Sequence, residues 1–215
     1  MGRHPRTPIP SGNYINAQMW YSKNANTGGD GHTRITQHMR DAESLFLSCD
    51  RTFTIRNVWA YPSGADSYAT SDTQLVAENI DVGTNFSQDA VDVYTKMKGY
   101  FPEINVLVCF VEGNRFVENG QPSTYIGYTH QLEIGGDNSN YLILVSESAD
   151  PPTLAHELGH VLNFSNKNGS ANDPNPFPND PIHNADSDNL MYPNIGGTNI
   201  TPQQCNQFFD SKIIL

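Results

Sequence analysis

The chain has 215 residues, enough for one domain or for one domain with a long ordered arm. Lys and Arg number 12 against 23 Asp and Glu, so the formal net charge is −11, which would repel a phosphate backbone and sets nucleic acid aside as a partner. No apolar run approaches the roughly 18 residues that span a bilayer, and ten Tyr, ten Phe and two Trp can build a core, unlike a disordered acidic tail.

Only 16% of residues are charged and 37% hydrophobic, the balance being uncharged polar residues, above all Asn, with 17 Gly and 14 Pro. That composition describes a loop-rich globular domain. Scarce Lys with abundant Asn and Gly leans toward a secreted protein, although the start, Met1-Gly-Arg-His-Pro-Arg, has no apolar segment of signal-peptide type. Met1-Gly2 has the look of a cloning remnant.

Residues 1–33 carry Gly, Pro, Asn and Ser without a period and read as an N-terminal arm or loop. Ile35, Met39, Ala42, Leu45 and Phe46 recur at helical spacing and predict a first helix over 34–48. The β-branched and aromatic stretch 52–61 predicts a strand ended by Pro62-Ser-Gly. Residues 63–84 fit no single element. Ser87 is placed to cap a second helix that buries Ala90, Tyr94 and Met97 and ends near Gly99. The apolar run 104–111 predicts a central strand covered on both faces, and 123–130 and 141–145 read as two further strands. Asp150-Pro151-Pro152 predicts a helix start with Asp150 as cap and proline after it. Residues 163–189 read as a long loop crowded with Asn, Asp and Pro, and Thr201-Pro-Gln-Gln204 predicts a capping box opening a terminal helix through Phe209.

Three cysteines, Cys49, Cys109 and Cys205, allow one disulfide with a free thiol, or three buried thiols, and their spacing excludes a cysteine zinc site. Four Asn-x-Ser/Thr sequences, at Asn85, Asn163, Asn168 and Asn199, are what so Asn-rich a chain produces by chance.

The chemistry concentrates in His156-Glu157-Leu158-Gly159-His160. Histidines at i and i+4 lie one above the other on a helix, so their ring nitrogens can converge on one ion. Zinc takes neutral imidazole nitrogen and, in catalytic sites, keeps one position open for water. Glu157 follows the first ligand directly, which places its carboxylate beside that water as general base and then general acid. A catalytic zinc needs a third protein ligand. No glutamate follows Glu157, which excludes a downstream Glu ligand of the thermolysin-like kind. His183 is the sole histidine after His160, and Asp173, Asp180, Asp186, Asp188 and Asp210 remain alternatives.

With Asn189-Leu190-Met191-Tyr192-Pro193 downstream, the motif resembles the metzincin clan of zinc peptidases, most closely its matrixin branch. In that family H-E-x-x-H continues as x-x-G-x-x-H, and a turn carrying a methionine underlies the metal. Here the glycine position is Asn163 and the third-histidine position Asn166, while His183 stands eight residues before Met191, the spacing usual in matrixins. The alignment this suggests is a 17-residue insertion after Asn163 that moves the third histidine from 166 to 183, with Asn163 making the left-handed turn that ends the helix.

The resemblance implies an α/β (α+β) metzincin-like domain over 34–215, with a twisted mixed sheet, an active-site helix, a Met-turn and a C-terminal helix. It implies zinc held by His156, His160 and His183, Glu157 in catalysis, Met191 beneath the metal, and Tyr192 and Pro193 lining the pocket for the residue after the cleaved bond. It further implies that a peptide or protein substrate lies along an edge strand, for which Tyr125-Ile-Gly127-Tyr128 is the candidate. The expected function is zinc-dependent endopeptidase activity. The alternatives are a non-catalytic zinc-containing binding or structural module, and a narrow-specificity protease effector or toxin. Calcium at Asp186-Ser-Asp188-Asn189 lacks a full loop motif, so those residues read as a solvated loop. His38 and His130 read as surface groups.

Overall fold

The computed structural model describes residues 13–29, 32–49, 53–59 and 74–215. Its elements fall in two compact units, one holding Asn16–Ile35 and Arg56–Ala149, the other Thr36–Ile55 and Asp150–Leu215 with residues 13–15. The fold class is mixed α/β, as expected.

The first unit is built on a five-stranded sheet. Its strands are β1 (Tyr14–Tyr21), β2 (Thr54–Trp59), β3 (Val106–Phe110), β6 (Gly127–Ile134) and β7 (Asp137–Val145), in the spatial order β2-β1-β3-β7-β6. β1, β3 and β7 run parallel, and β6 is an antiparallel edge. All five β3 residues are buried, as the continuous apolar run predicts for a central strand. Helix α2 (Gln88–Tyr100) buries Ala90, Val93, Tyr94 and Met97, a helical stripe at i, i+3, i+4 and i+7. That stripe packs with Trp20, Leu107, Cys109, Leu142 and Leu144 from the sheet. A short antiparallel pair, β4 (Val117–Glu118) and β5 (Gln121–Pro122), completes the unit.

Several sequence expectations are corrected in this unit. Residues 14–21 are not arm or loop but a strand next to the centre of the sheet. Asn16 and Gln18 hide the pattern, because both are buried polar residues with their amides turned to backbone carbonyls: Asn16 Nδ2 donates to Glu103 O at 3.4 Å and Gln18 Nε2 to Met19 O at 2.8 Å. Residues 1–12 and the turn at 62–64 lie outside the described residues. The strand placed at 123–130 begins at Gly127 and continues to Ile134, where Gly135 and Gly136, at φ +61° and +84°, join β6 to β7 in a two-residue hairpin. Ser87 does precede α2, but its hydroxyl accepts from Asp81 N at 2.8 Å instead of capping the helix.

The second unit contains most of α1 (Thr33–Phe46), then α3 (Pro152–Phe164), the hairpin β8 (Pro176–Phe177) and β9 (Asp180–Asn184), and α4 (Pro202–Phe209). Phe46, Phe53, Phe208 and Phe209 form a chain of rings with centroids 4.9–5.8 Å apart. A disulfide joins Cys49 to Cys205 across 156 residues of sequence, leaving Cys109 as a buried free thiol. The C-terminus is tied in by reciprocal backbone bonds between Tyr14 and Leu215. The capping box of α4 forms as predicted, Thr201 and Gln204 each satisfying the other.

Three expectations are corrected here as well. Asp150 does not cap α3; Pro151 holds that position and the Asp150 carbonyl accepts from Thr153 N. Asn163 does not end the helix in a left-handed turn. It is helical and buried, α3 continues to Phe164, and Asn163 Oδ1 accepts from Gln207 Nε2 at 3.0 Å. The stretch 163–189 is not featureless, since β8 and β9 pair within it.

Candidate metal centre

The site is carried by α3, β9 and the turn at 189–192, all in the second unit. α3 is buried from Thr153 to Asn163, because Leu154, Leu158, Val161 and Leu162 cover one side and the two histidines fill the other. His156, His160 and His183 come together, each offering one ligand atom within 4.8 Å of the others. His156 and His160 are 2% and 5% exposed. Their Nε2 atoms stand 3.1 Å apart, close to the roughly 3.3 Å that two nitrogens adopt at zinc distances in a tetrahedral shell.

The ring orientations follow from fixed acceptors. His156 Nδ1 lies 2.7 Å from the carbonyl oxygen of Leu190, which can only accept, so Nδ1 carries the proton and the Nε2 lone pair faces the cluster. His183 Nδ1 is likewise 2.7 Å from Asp180 Oδ2. Burial pushes the His156 imidazole down to about 4, with His183 acting in the same direction against the opposing Leu190 carbonyl and Asp180. Burial, then His156 and His183, push His160 well below its ordinary value. These rings are therefore neutral at physiological pH, the form that ligates metal. This donor set could hold a metal ion: three imidazoles whose ligand atoms converge, two of them with Nδ1 committed elsewhere.

Glu157 is buried at 4% exposure, directly after the first of these histidines. Met191 is fully buried and packs under α3 at Gly159, where an added Cβ would meet its Sδ at 2.2 Å. The glycine inside the motif thus lets the methionine side chain pack close against the helix. At Gly197 the close neighbour is backbone, a Cβ there meeting the Asn189 carbonyl oxygen at 2.2 Å, so close approach requires glycine at that position. Tyr192 and Pro193 follow as half-buried residues, and Tyr192 makes an edge-to-face pair with Phe177 of β8, centroids 5.7 Å apart. Tyr125 and Gly127 belong to the first unit: Gly127 opens the edge strand, and Tyr125 precedes it, 40% exposed.

The other candidates resolve into structural roles. Asn166 donates to Gln207 O at 2.8 Å and accepts from Asn168 N. Asp173 accepts from Asn184 Nδ2 and Gln204 Nε2, both at 2.6 Å. Asp186 accepts from Asp188 N, and Asp210 from Asn168 Nδ2. Among the described residues the acidic group at 186–188 gathers no metal-ligating cluster. His38 is buried rather than exposed, and His130 is half-buried, stacked on Phe86 with centroids 3.8 Å apart.

Sequence reasoning missed the residues that brace the turn and hairpin carrying these histidines. Gln204 joins Asp173 to Asn189, whose Oδ1 also accepts from Met191 N. The Asn184 backbone N donates to Met191 O at 2.7 Å, tying β9 to the turn. The pair Asp180-x-x-His183 was visible as a spacing, but only the hairpin gives it meaning.

No known family profile and no curated protein sequence matches the chain. Among solved structures, the chain is similar to metalloproteinase-II from Bacteroides fragilis, at 14% identity and a TM-score of 0.47, covering 95% of this chain and 54% of that one. It is also similar to a chain in a chaperone–substrate complex, at 13% identity and a TM-score of 0.41, covering 72% of this chain and 24% of that one. The chain thus spans about half and about a quarter of these proteins.

Proposed function

We propose that the chain is a zinc-dependent endopeptidase of metzincin type, with a matrixin-like pattern whose third histidine arrives on an inserted hairpin. The observation that carries this reading is the convergence of three imidazoles, with a buried glutamate directly after the first of them in sequence. The group contains three His and no fourth His, Cys, Asp or Glu among the described residues. Three protein ligands with one position left over is the pattern of a catalytic zinc, whereas a structural site closes its fourth position. That favours an enzyme over a binding or structural module, which also has no use for a carboxylate at 157.

Zinc held by His156, His160 and His183 supplies Lewis acidity and brings the pKa of water toward neutrality. Glu157 takes the proton as the water oxygen bonds to the peptide carbonyl carbon. It then delivers that proton to the amine nitrogen as the carbon–nitrogen bond breaks. Leu190 and Asp180 hold His156 and His183 with Nε2 turned inward, Met191 supports the helix from below, and Tyr192 and Pro193 line the pocket for the residue after the cleaved bond. The catalytic residues all fall within 34–215. The substrate is a peptide or protein. No helix among the described residues is long and apolar enough to cross a membrane. The Cys49–Cys205 disulfide supports a secreted protein.

Metal analysis is expected to find about one zinc per chain, lowered in His183→Ala. Glu157→Ala is expected to retain zinc and fold while losing cleavage of an unfolded protein substrate. Equal activity in wild type and Glu157→Ala overturns the mechanism, and unchanged zinc affinity in His183→Ala overturns the third ligand.

A further inference from the structure

The inserted hairpin is irregular where it matters. Pro176 of β8 pairs with Asn184 of β9 and the next residue, Phe177, pairs with Asp180. Residues 181–183 are therefore extra on β9 and bulge out of the ladder, and His183 lies in that bulge. Bulges re-aim side chains. In a regular strand, residues three apart point to opposite faces, yet Asp180 Oδ2 and His183 Nδ1 are 2.7 Å apart. The bulge is what permits the contact. It is pinned by Asp173 N donating to Pro181 O at 2.8 Å and by Asn184 N donating to Met191 O at 2.7 Å.

We infer that Asp180 is the positioning residue of the third ligand. Its carboxylate holds the proton on His183 Nδ1, selects Nε2 as the ligating atom and orients the ring toward His156 and His160. This inference rests on the peptidase reading and deepens it: the insertion supplies a histidine together with the carboxylate that aims it. Asp180 is 40% exposed at its side chain and His183 16%, so the carboxylate reaches the ring from the solvent side. A metal-ligating histidine whose other nitrogen binds a carboxylate gains basicity and a fixed tautomer, and loss of such a partner lowers metal affinity roughly 10–100-fold.

The test uses the full chain and zinc itself, with affinity read by chelator competition and ligand geometry by the visible absorption of the cobalt-substituted protein. Asp180→Ala is expected to weaken zinc roughly 10–100-fold and alter the cobalt spectrum, without moving the unfolding midpoint of metal-free protein. Asp180→Asn, whose amide oxygen still accepts from Nδ1, is expected to fall between the two, and it decides the matter if the alanine variant misfolds. In a His183→Ala background, Asp180→Ala is expected to change zinc affinity no further, a result that a general charge effect would not give. Zinc affinity within about twofold of wild type in both Asp180 variants overturns the inference, as does an equal loss with and without His183. A wild type that binds no zinc overturns the peptidase reading itself, whereas a wild type that binds zinc and cleaves, with Asp180 variants indistinguishable from it, removes this inference alone.

Discussion

Gly159 and Met191 offer a measurement of how tightly the methionine underpins the helix that carries His156 and His160. A Cβ on residue 159 would sit 2.2 Å from Met191 Sδ and 3.2 Å from its Cε. Ordinary carbon–sulfur contact needs the thioether to retreat about 1.5 Å, and Met191 is fully buried, so it must retreat within the protein interior. Alanine in place of a helical glycine gains about 1 kcal/mol of helix propensity, while overpacking a filled site costs about 1–3 kcal/mol. Gly159→Ala is therefore expected to be neutral or to destabilise by up to about 2 kcal/mol. In a Met191→Ala background, itself costing about 2–5 kcal/mol, the obstacle is gone and the same substitution is expected to stabilise by about 1 kcal/mol. Urea unfolding of the four metal-free proteins closes the cycle, with an expected coupling of about 1–3 kcal/mol. Because Leu190 holds His156 through its carbonyl, Gly159→Ala is also expected to weaken zinc, and Met191→Ala to restore part of that loss. Effects that add within about 0.5 kcal/mol would show that the helix and the turn do not press on each other.

Three further outcomes concern the cysteines and the buried imidazole. Replacing both Cys49 and Cys205 with serine opens a 156-residue loop and is expected to lower stability by up to about 5 kcal/mol in the chain-entropy account, with zinc stoichiometry retained. Denaturant unfolding and metal analysis check this, and Cys109, whose thiol burial pushes well above its ordinary pKa, is expected to stay unreactive until the protein unfolds. In metal-free protein, His156 is held at about 4 against an ordinary 6.5, so on acidification the unfolded chain binds the proton first. Stability from this group is complete above pH 6.5 and is lost as pH falls through about 4. Urea midpoints measured across that window are expected to drop, and a flat profile would refute the neutral, buried state of the ring.

Much of this was legible because it rests on short-range rules. The helical spacing of His156 and His160, the capping box at Thr201 and Gln204, and the apolar run of β3 each act within one element. The misses rest on long-range satisfaction of polar groups. β1 reads as a loop because Asn16 and Gln18 are buried against carbonyls that the sequence does not display. Asn163 is the natural residue for a left-handed helix end, but Gln207, 44 positions away, takes its amide oxygen and keeps it helical. The hairpin in 163–189 has strands of two and five residues, too short for any hydrophobic period to register.

That hairpin also explains how His183 can be held beside His156 and His160 from so long a loop. A structureless loop would have to be ordered at every metal-binding event, and fixing each residue costs about 1–2 kcal/mol in backbone entropy. Here the ordering is built into the folded unit. Asp173 is buried and accepts from Asn175 N, Asn184 Nδ2 and Gln204 Nε2, so one carboxylate joins both limbs of the hairpin to α4. Burial alone would favour the protonated acid and does raise its pKa, against the opposing pull of these three donors and His183. Gln204 serves at once as the third residue of the capping box and as donor to Asp173 and Asn189. Asn189 in turn fixes Met191 N. The start of α4, the methionine turn and the hairpin are thus one hydrogen-bonded body, and the third histidine stands beside Asn184, one of its members. The Asn-, Asp- and Pro-rich composition of 163–189 is the material of that body: side chains short enough to bond backbone locally and rigid enough to hold one imidazole in place.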